Sequence, residues 1–568
     1  MATGVRTRLG RASVGELLPV TRWLPSYDRR WFDDDLLAGA TVAAALLPES
    51  MAYATLANVP PEVGLYASLL AAVVYVFVGT SRQLIVGPTS ALAVLVAAGV
   101  APLAAGEPGR YVALVSLTAL LVGVIALFAR LFRLGFLVNF VSESVLLGFS
   151  AGAALYIAST QLGSLAGIEG GSGEFFERLW YVGAHLGAIH PPTLALGIGG
   201  VVLLALAERY APYLPNALLL VSLSIVVTSA ANLADRGVSV VGSIPSGLPT
   251  FGAPTADPAT VEALLPLAAA CFLLSYVEGI GVVETFAARH DDRSDPDQEL
   301  VATGLANLAS GLAGALPVGG SMTRSALNDG MGARTQLSGG IAALLLGVVL
   351  LFLTGAFSNL PNAVLAAIVV VAVGRLVDVR GIRRVYRVNP TEFPVVVAGF
   401  LGVLLFGMLA GVLVGVLVSA LIVLGHAAYP HTAVLGRVPG TDLFADHERH
   451  PEYDPIEGVL VYRAGAELFY ANAKTVERDL LATVDAAKTP PDLVVLDLSS
   501  SPTLDLTAAD ALARLWRRLD RRGVAFRIAE ADGPVRDVLR AHGAGERLGP
   551  LGPNRTVAAV VDDWRRDR

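Results

Sequence analysis

Apolar and polar positions alternate along this chain on two different scales. Up to about residue 428, long apolar runs are separated by short polar stretches. A helix needs about 20 apolar residues to cross a bilayer. The runs predict helices at roughly 36–57, 62–79, 87–101, 110–129, 136–165, 192–208, 216–233, 262–286, 299–316, 322–331, 337–357, 361–376, 392–407 and 409–428. Two of them, 87–101 and 322–331, are too short to span. The run 395–424 would be about 45 Å long as one helix, so it is split at Gly407-Met408-Leu409-Ala410. Segment 174–190 is amphipathic and reads as a surface helix. After about residue 455 the scale shortens. Segments 458–463, 492–498 and 524–529 read as buried strands, and 507–521 and 533–542 as helices. The first of these helices carries Leu512, Leu515, Trp516 and Leu519 on one face, with Asp505 or Thr507 as its cap. Strands alternating with helices predict an α/β domain.

Charge follows the same division. The chain has 568 residues, 54% of them apolar. Positions 1–429 hold 48 charged residues, about 11%, and the remaining 139 positions hold 41, about 29%. Soluble domains carry about 25%. The expected organisation is therefore a cytoplasmic segment 1–33, a membrane domain 34–429 and a cytoplasmic domain 430–568. The first 30 residues are basic and polar, which predicts no cleaved signal peptide. Arg22, Arg29, Arg30, Arg130, Arg133, Arg289, Arg293, Arg375, Arg380, Arg383, Arg384 and Arg387 fall in loops that share one face under the fourteen-helix count. That face is expected to be cytoplasmic, with both termini on it. Cys271 is the single cysteine, so an intrachain disulfide and a cysteine zinc site are excluded. A net charge of −7 gives no reason to expect nucleic acid.

The two halves of the membrane domain, about 34–234 and 260–429, read as distant copies. The first carries Glu49, then Gly64-Leu65-Tyr66-Ala67-Ser68, then Gly87-Pro88-Thr89-Ser90-Ala91-Leu92. The second carries Glu278, then Gly304-Leu305-Ala306-Asn307, then Gly320-Ser321-Met322-Thr323-Arg324-Ser325-Ala326-Leu327. An odd number of helices per half makes the copies inverted. Short, Gly/Pro-interrupted segments at matching places point to a transporter site near the bilayer midplane. The first turn of each short helix offers unpaired N–H groups and a positive dipole end. Two such ends make an anion site, and Arg324 adds a full charge. The plainer alternative is that the glycines only kink helices for packing. Glu49, Glu278 and Arg324 lie deep in apolar sequence, where ions face a cavity or a partner. A buried carboxyl can carry a proton. Proton coupling is one reading of the two glutamates, and a static Glu–Arg pair is the other.

These residues resemble the SulP family of anion transporters. The pattern is Pro48-Glu49-Ser50-Met51-Ala52-Tyr53-Ala54, Val59-Pro60-Pro61, Gly64-Leu65-Tyr66, Gly79-Thr80-Ser81-Arg82-Gln83 and Gly87-Pro88-Thr89-Ser90. It continues with Asp297-Gln298-Glu299-Leu300, Gly304, Asn307 and Thr323-Arg324-Ser325. The resemblance implies a polytopic α-helical membrane protein of 14 spans, built as two inverted seven-helix repeats with core and gate domains. It implies that Tyr53, Thr89, Ser90, Thr323, Arg324 and Ser325 bind the substrate, a sulfate, bicarbonate or dicarboxylate anion, with no enzymatic step. Glu49, where other branches commonly have Gln, looks like the proton-coupled bacterial branch, with Glu278 as a second coupling group. An elevator-like symporter in the inner membrane, usually dimeric, is then expected. Sodium-coupled bicarbonate members carry a hydroxyl one turn after the acid at 278, where this chain has Val282. That carrier, an uncoupled exchanger or channel, and a membrane-anchored sensor remain alternatives. At Ser142-Glu143-Ser144-Val145 the family often has Pro before the Val.

The C-terminal part resembles a STAS domain. Leu468-Phe469-Tyr470-Ala471-Asn472-Ala473 is a close match. Asp505-Leu506-Thr507-Ala508-Ala509 aligns with the loop that bears a phosphorylatable Ser/Thr in bacterial anti-sigma-factor antagonists. Thr507 is read here as a helix cap in preference to a phosphosite. A regulatory or assembly role with a cytoplasmic partner is implied. There is no phosphate-cradling glycine loop and no catalytic triad, so no cofactor or metal is expected.

Overall fold

The computed structural model describes residues 18–135, 142–168, 173–211, 214–255, 257–453, 455–543, 545, 547–548, 550–553 and 555–567. The chain divides into two compact units, Met1–Ser419 and Ala420–Arg568. The division falls ten residues before position 430. The last helical turns before it belong to the second unit, where the Asn472 side chain donates to the Ala427 carbonyl at 3.0 Å.

The first unit is helical. In chain order it contains α1 (Phe32–Leu56), α2 (Pro61–Val78), β1 (Val86–Gly87), α3 (Ser90–Ala104), α4 (Pro108–Leu131) and α5 (Glu143–Ala166). Then come α6 (Phe175–Ala184), α7 (Pro191–Tyr210), α8 (Asn216–Ala230), α9 (Pro258–His290) and α10 (Pro296–Leu312). They are followed by β2 (Gly319–Gly320), α11 (Met322–Gly330), α12 (Leu337–Val348), α13 (Asn362–Gly374), α14 (Val379–Val388) and α15 (Phe393–Ala428). A helix lies at each place where the apolar pattern expects one, except that the start of 136–165, positions 136–141, lies outside the described residues; among the described residues eight helices are long and apolar enough to cross a membrane unaided. α15 is interrupted at Gly407, whose φ of 80° and ψ of 173° no helix contains. This is the expected break.

Local sequence explains the starts. Asp33, Asp34 and Asp35 occupy the first turn of α1, where negative charge meets the positive helix end. Proline opens α2, α4, α7, α9 and α10, where its missing N–H costs nothing. Helices α1–α4 and α9–α12 pack into one bundle, and α5, α7, α8 and α13 into another. The tightest seam is α4 on α10. A Cβ at Gly123 would stand 2.7 Å from the Gly304 carbonyl oxygen, so only glycine lets these backbones meet. The amphipathic helix α6 has no buried residue.

The second unit holds β3 (Thr432–Arg437), β4 (Phe444–Asp446), β5 (Val459–Ala464), α16 (Ala473–Ala486) and β6 (Leu493–Asp497). It continues with α17 (Leu506–Asp520), β7 (Ala525–Ala529), α18 (Gly533–Ala541) and α19 (Val557–Arg566). The sheet order is β4-β3-β5-β6-β7, with β5, β6 and β7 parallel and β3 antiparallel to both its neighbours. Val494 and Leu496 face the core made with α16, α17 and α18, and Leu493 and Val495 face the one made with α19. A strand buried on both faces reads as the continuous apolar run seen in the sequence. Four elements were not expected: β3 and β4, which precede position 455, and the helices α16 and α19. Asp505 caps α17, accepting from the Ala508 N–H at 2.7 Å. This corrects the cap reading of Thr507, which sits inside the first turn.

Candidate functional site

The two interrupted segments meet. β1 and β2 pair antiparallel, Val86 opposite Gly320 and Gly87 opposite Gly319. Each strand runs straight into a short helix, so the pairing brings the N-termini of α3 and α11 together. Thr89 caps α3 and accepts from the Leu92 N–H at 3.4 Å. Ser321 caps α11 and accepts from the Arg324 N–H at 3.5 Å. β2 can also lie close against α9 because position 320 has no side chain. A Cβ there would stand 2.7 Å from the Gly279 Cα.

Polar side chains hold the junction from outside. The Asn307 carboxamide accepts from the Val318 N–H at 2.9 Å and donates to its carbonyl at 3.0 Å, and the Ser275 hydroxyl donates to the same carbonyl at 2.7 Å. On the other strand, the Ser325 hydroxyl accepts from the Ile85 N–H at 3.0 Å. Ser325, expected in the binding set, therefore fastens the strand that leads to α3.

Arg324 occupies the first turn of α11 and is 1% exposed. Its Nη2 donates to the Pro88 carbonyl at 3.0 Å. Its Nε and Nη1 are buried and have no hydrogen-bond partner among the described residues. A buried donor without an acceptor costs about 1–3 kcal/mol, more when charged. Elsewhere in the unit buried charge is satisfied. Glu299 accepts from the Tyr75 hydroxyl at 3.1 Å and the Thr80 N–H at 2.9 Å. Asp35 accepts from the Arg334 and Thr335 N–H groups at 2.7 and 3.0 Å and from the Thr335 hydroxyl at 2.7 Å.

A cavity of about 450 Å³ reaches Arg324. Glu49, Thr323 and Arg324 line its inner part, and Glu208 and Arg375 line it from the ends of α7 and α13. These last two form an ion pair. The cavity thus has one wall from each bundle. Tyr53, one turn along α1 from Glu49, is buried, as are Thr89 and Ser90 at the start of α3. None of the three is among the lining residues. Glu278, on α9, does not line the cavity either, but the Arg324 charge and the Thr89 hydroxyl both act on it. Glu49 feels the charges of Arg324, Arg375 and Glu208. The arrangement offers positive charge, unpaired donors and two helix N-termini at one point, with a carboxyl beside them. Chemically it suits an oxyanion and a proton.

Sequence reasoning missed Glu208 and Arg375. The signal was a charge at the end of each of two helices, which by itself only marks a solvated terminus.

Residues 32–399 match the model of the Sulfate permease family, and residues 450–558 match the STAS domain. A protein of Mycobacterium tuberculosis named a probable sulfate transporter is 39% identical over 540 residues, covering 95% of this chain and 96% of its own length. The structure of the murine Solute Carrier 26 family member A9 anion transporter in the inward-facing state superposes with a TM-score of 0.89 at 23% identity, covering 99% of this chain and 97% of that one. The transmembrane domain of a cyanobacterium bicarbonate transporter superposes with a TM-score of 0.60 at 23% identity, covering 69% of this chain and 98% of its own.

Proposed function

Because the chain belongs to the sulfate permease family and so is a membrane transporter of anions, we propose that it moves sulfate together with a proton. The observation that carries this reading is Arg324, buried with two nitrogens unsatisfied where the N-termini of α3 and α11 converge. Two charge-assisted hydrogen bonds to an oxyanion are worth about 1.5–3 kcal/mol each. Sulfate is favoured over the other anions by the 39% identical relative.

Glu49 supplies the coupling. Sharing a cavity with the anion, its carboxylate opposes anion entry until it takes up a proton. Protonation removes that repulsion, and both species then travel on the bundle that carries α1 and α11. Movement of this bundle against α7, α8 and α13, which form the facing wall, exchanges access between the two sides of the membrane. Thr323 lies at the lining to hydrogen-bond the anion, with Thr89 and Ser90 ordering the opposed helix end. Tyr53 lies beside Glu49, and Glu278 balances the Arg324 charge from behind.

The test is uptake of labelled sulfate into proteoliposomes, with and without an imposed proton gradient and without sodium. The gradient is expected to accelerate uptake, and Glu49→Gln to abolish that acceleration while sulfate–sulfate exchange continues. Gradient-driven uptake that survives Glu49→Gln, or uptake that requires sodium, overturns the coupling.

A further inference from the structure

α14 is the most strongly charged element of the first unit, and beyond marking one face of the membrane its arginines take no part in the anion site. Its sequence is VRGIRRVYRV. At 100° per residue, Arg380, Arg383, Arg384 and Arg387 fall within about a 100° arc of the helix. All four are exposed, and among the described residues none lies within ion-pairing distance of a carboxylate. The nearest acid in sequence, Asp378, is committed as the cap, accepting from the Gly381 N–H at 2.9 Å. The opposite face is the one that packs inward. Gly381 lies against Leu147 of α5, and Ile382 and Val385 are half-buried. Between the two faces, Val379 and Tyr386 on one flank and Val388 on the other are exposed at 66%, 60% and 76%.

The helix also has a definite place in the chain. It follows the apolar helix α13 by four residues, and the two lie within one candidate membrane span, Asn362–Val388. Four arginines keep α14 out of the hydrocarbon, which puts it next to the membrane boundary that α13 reaches. A basic stripe flanked by exposed apolar side chains at that depth matches the two layers of a lipid surface: phosphates for the guanidinium groups and the acyl boundary for Val379, Tyr386 and Val388. Arginine suits phosphate because its planar fork donates to two oxygens at once.

We propose that α14 is a binding surface for the phosphate headgroups of anionic membrane lipids. The occupant is a lipid and not a soluble phosphate, because the apolar flanks have no role toward a small ion in water. Each arginine near a charged leaflet adds to the attraction. Four of them give a preference for anionic over zwitterionic lipid large enough to measure.

The test uses the full chain in nanodiscs of phosphatidylcholine mixed with phosphatidylglycerol. Extraction into mild detergent and native mass spectrometry then count retained lipid. The wild type is expected to retain phosphatidylglycerol at least tenfold over its share of the mixture. The variant R380Q/R383Q/R384Q/R387Q is expected to lose most of that enrichment, and added inorganic phosphate is expected not to compete. Equal melting temperatures of variant and wild type in pure phosphatidylcholine show that the fold survives. If the variant fails to fold, the wild type is read alone, and its enrichment is expected to fall as salt rises. Undiminished enrichment in the folded variant overturns the proposal. So does competition by inorganic phosphate, and so does salt-insensitive enrichment in the wild type. A further overturning outcome is unchanged enrichment with a raised half-saturating sulfate concentration in pure phosphatidylcholine vesicles, which would mean that the arginines gather substrate instead.

Discussion

Two deeply buried ions, Asp497 in the second unit and Arg324 in the first, are held in opposite ways. In the second, Asp497 is fully buried, and one of its oxygens takes both the Nε and an Nη of Arg463 at 2.7 Å, while the other accepts the Ser499 N–H at 2.8 Å. In the first unit Arg324 is as deeply buried as Asp497 and has a single carbonyl for company. A satisfied buried ion holds a fold in register. An unsatisfied one is retained at a cost to stability, and the cost needs a functional reason.

The comparison predicts opposite responses to mutation. Arg324→Gln is expected to reduce anion uptake by roughly 100-fold or more, from the loss of two charge-assisted bonds. Thermal stability should hold or rise, because the bond to Pro88 is lost while two unpaired buried donors are removed with the charge. A variant that unfolds while the remaining protein transports normally would place Arg324 with Asp497 as a structural ion. Asp497→Ala is expected to do the reverse. Unfolding of the full chain should show a loss of about 1–3 kcal/mol, at the lower end for a buried pair because Arg463 is partly exposed. Its folded fraction should bind sulfate as the wild type does. Ser325→Ala gives the smallest effect, a loss of about 1 kcal/mol in stability from the stranded Ile85 N–H. Sulfate affinity should move by less than about threefold, and a larger change would restore Ser325 to the binding set.

What the sequence revealed follows from how conspicuous each residue is against its neighbours. Glu49 and Arg324 stand out because an ion amid apolar residues violates the local pattern. Glu208 and Arg375 do not, since charges at helix ends are ordinary, and only the fold shows that they pair across one cavity. The same limit applies to backbone. The double-sided burial of β6 writes itself as an apolar run, and Gly407 announces its break by falling in a helix too long for the bilayer. β1 and β2 have two residues each, too few for any period, so the sequence marked the places where the helices stop but not that the stops are joined. The alternation of the α/β module was legible after 455, though α16 and α19 were not, whereas the edge strand β4 and its neighbour β3 consist mostly of half-buried residues, which leave a weaker pattern. Asp297-Gln298-Glu299 could be quoted as a motif, but its work became visible only when Gln298 and Glu299 were found holding the backbone at Val78 and Thr80.

The pairing of β1 with β2 has a consequence for selectivity. The separation of the two helix ends is set by the backbone pairing of β1 with β2, and the close seat of Gly320 on Gly279 of α9 holds that pair in place, before any anion arrives. A cradle of fixed width loses little conformational entropy when it is filled, so weak individual contacts suffice for useful affinity. The same stiffness removes the freedom to close on a smaller guest or to widen for a larger one. Ionic radius, more than charge, then becomes the quantity by which the proposed site discriminates. Side chains that change the spacing of these four strand residues would retune it even if they never touch the cargo.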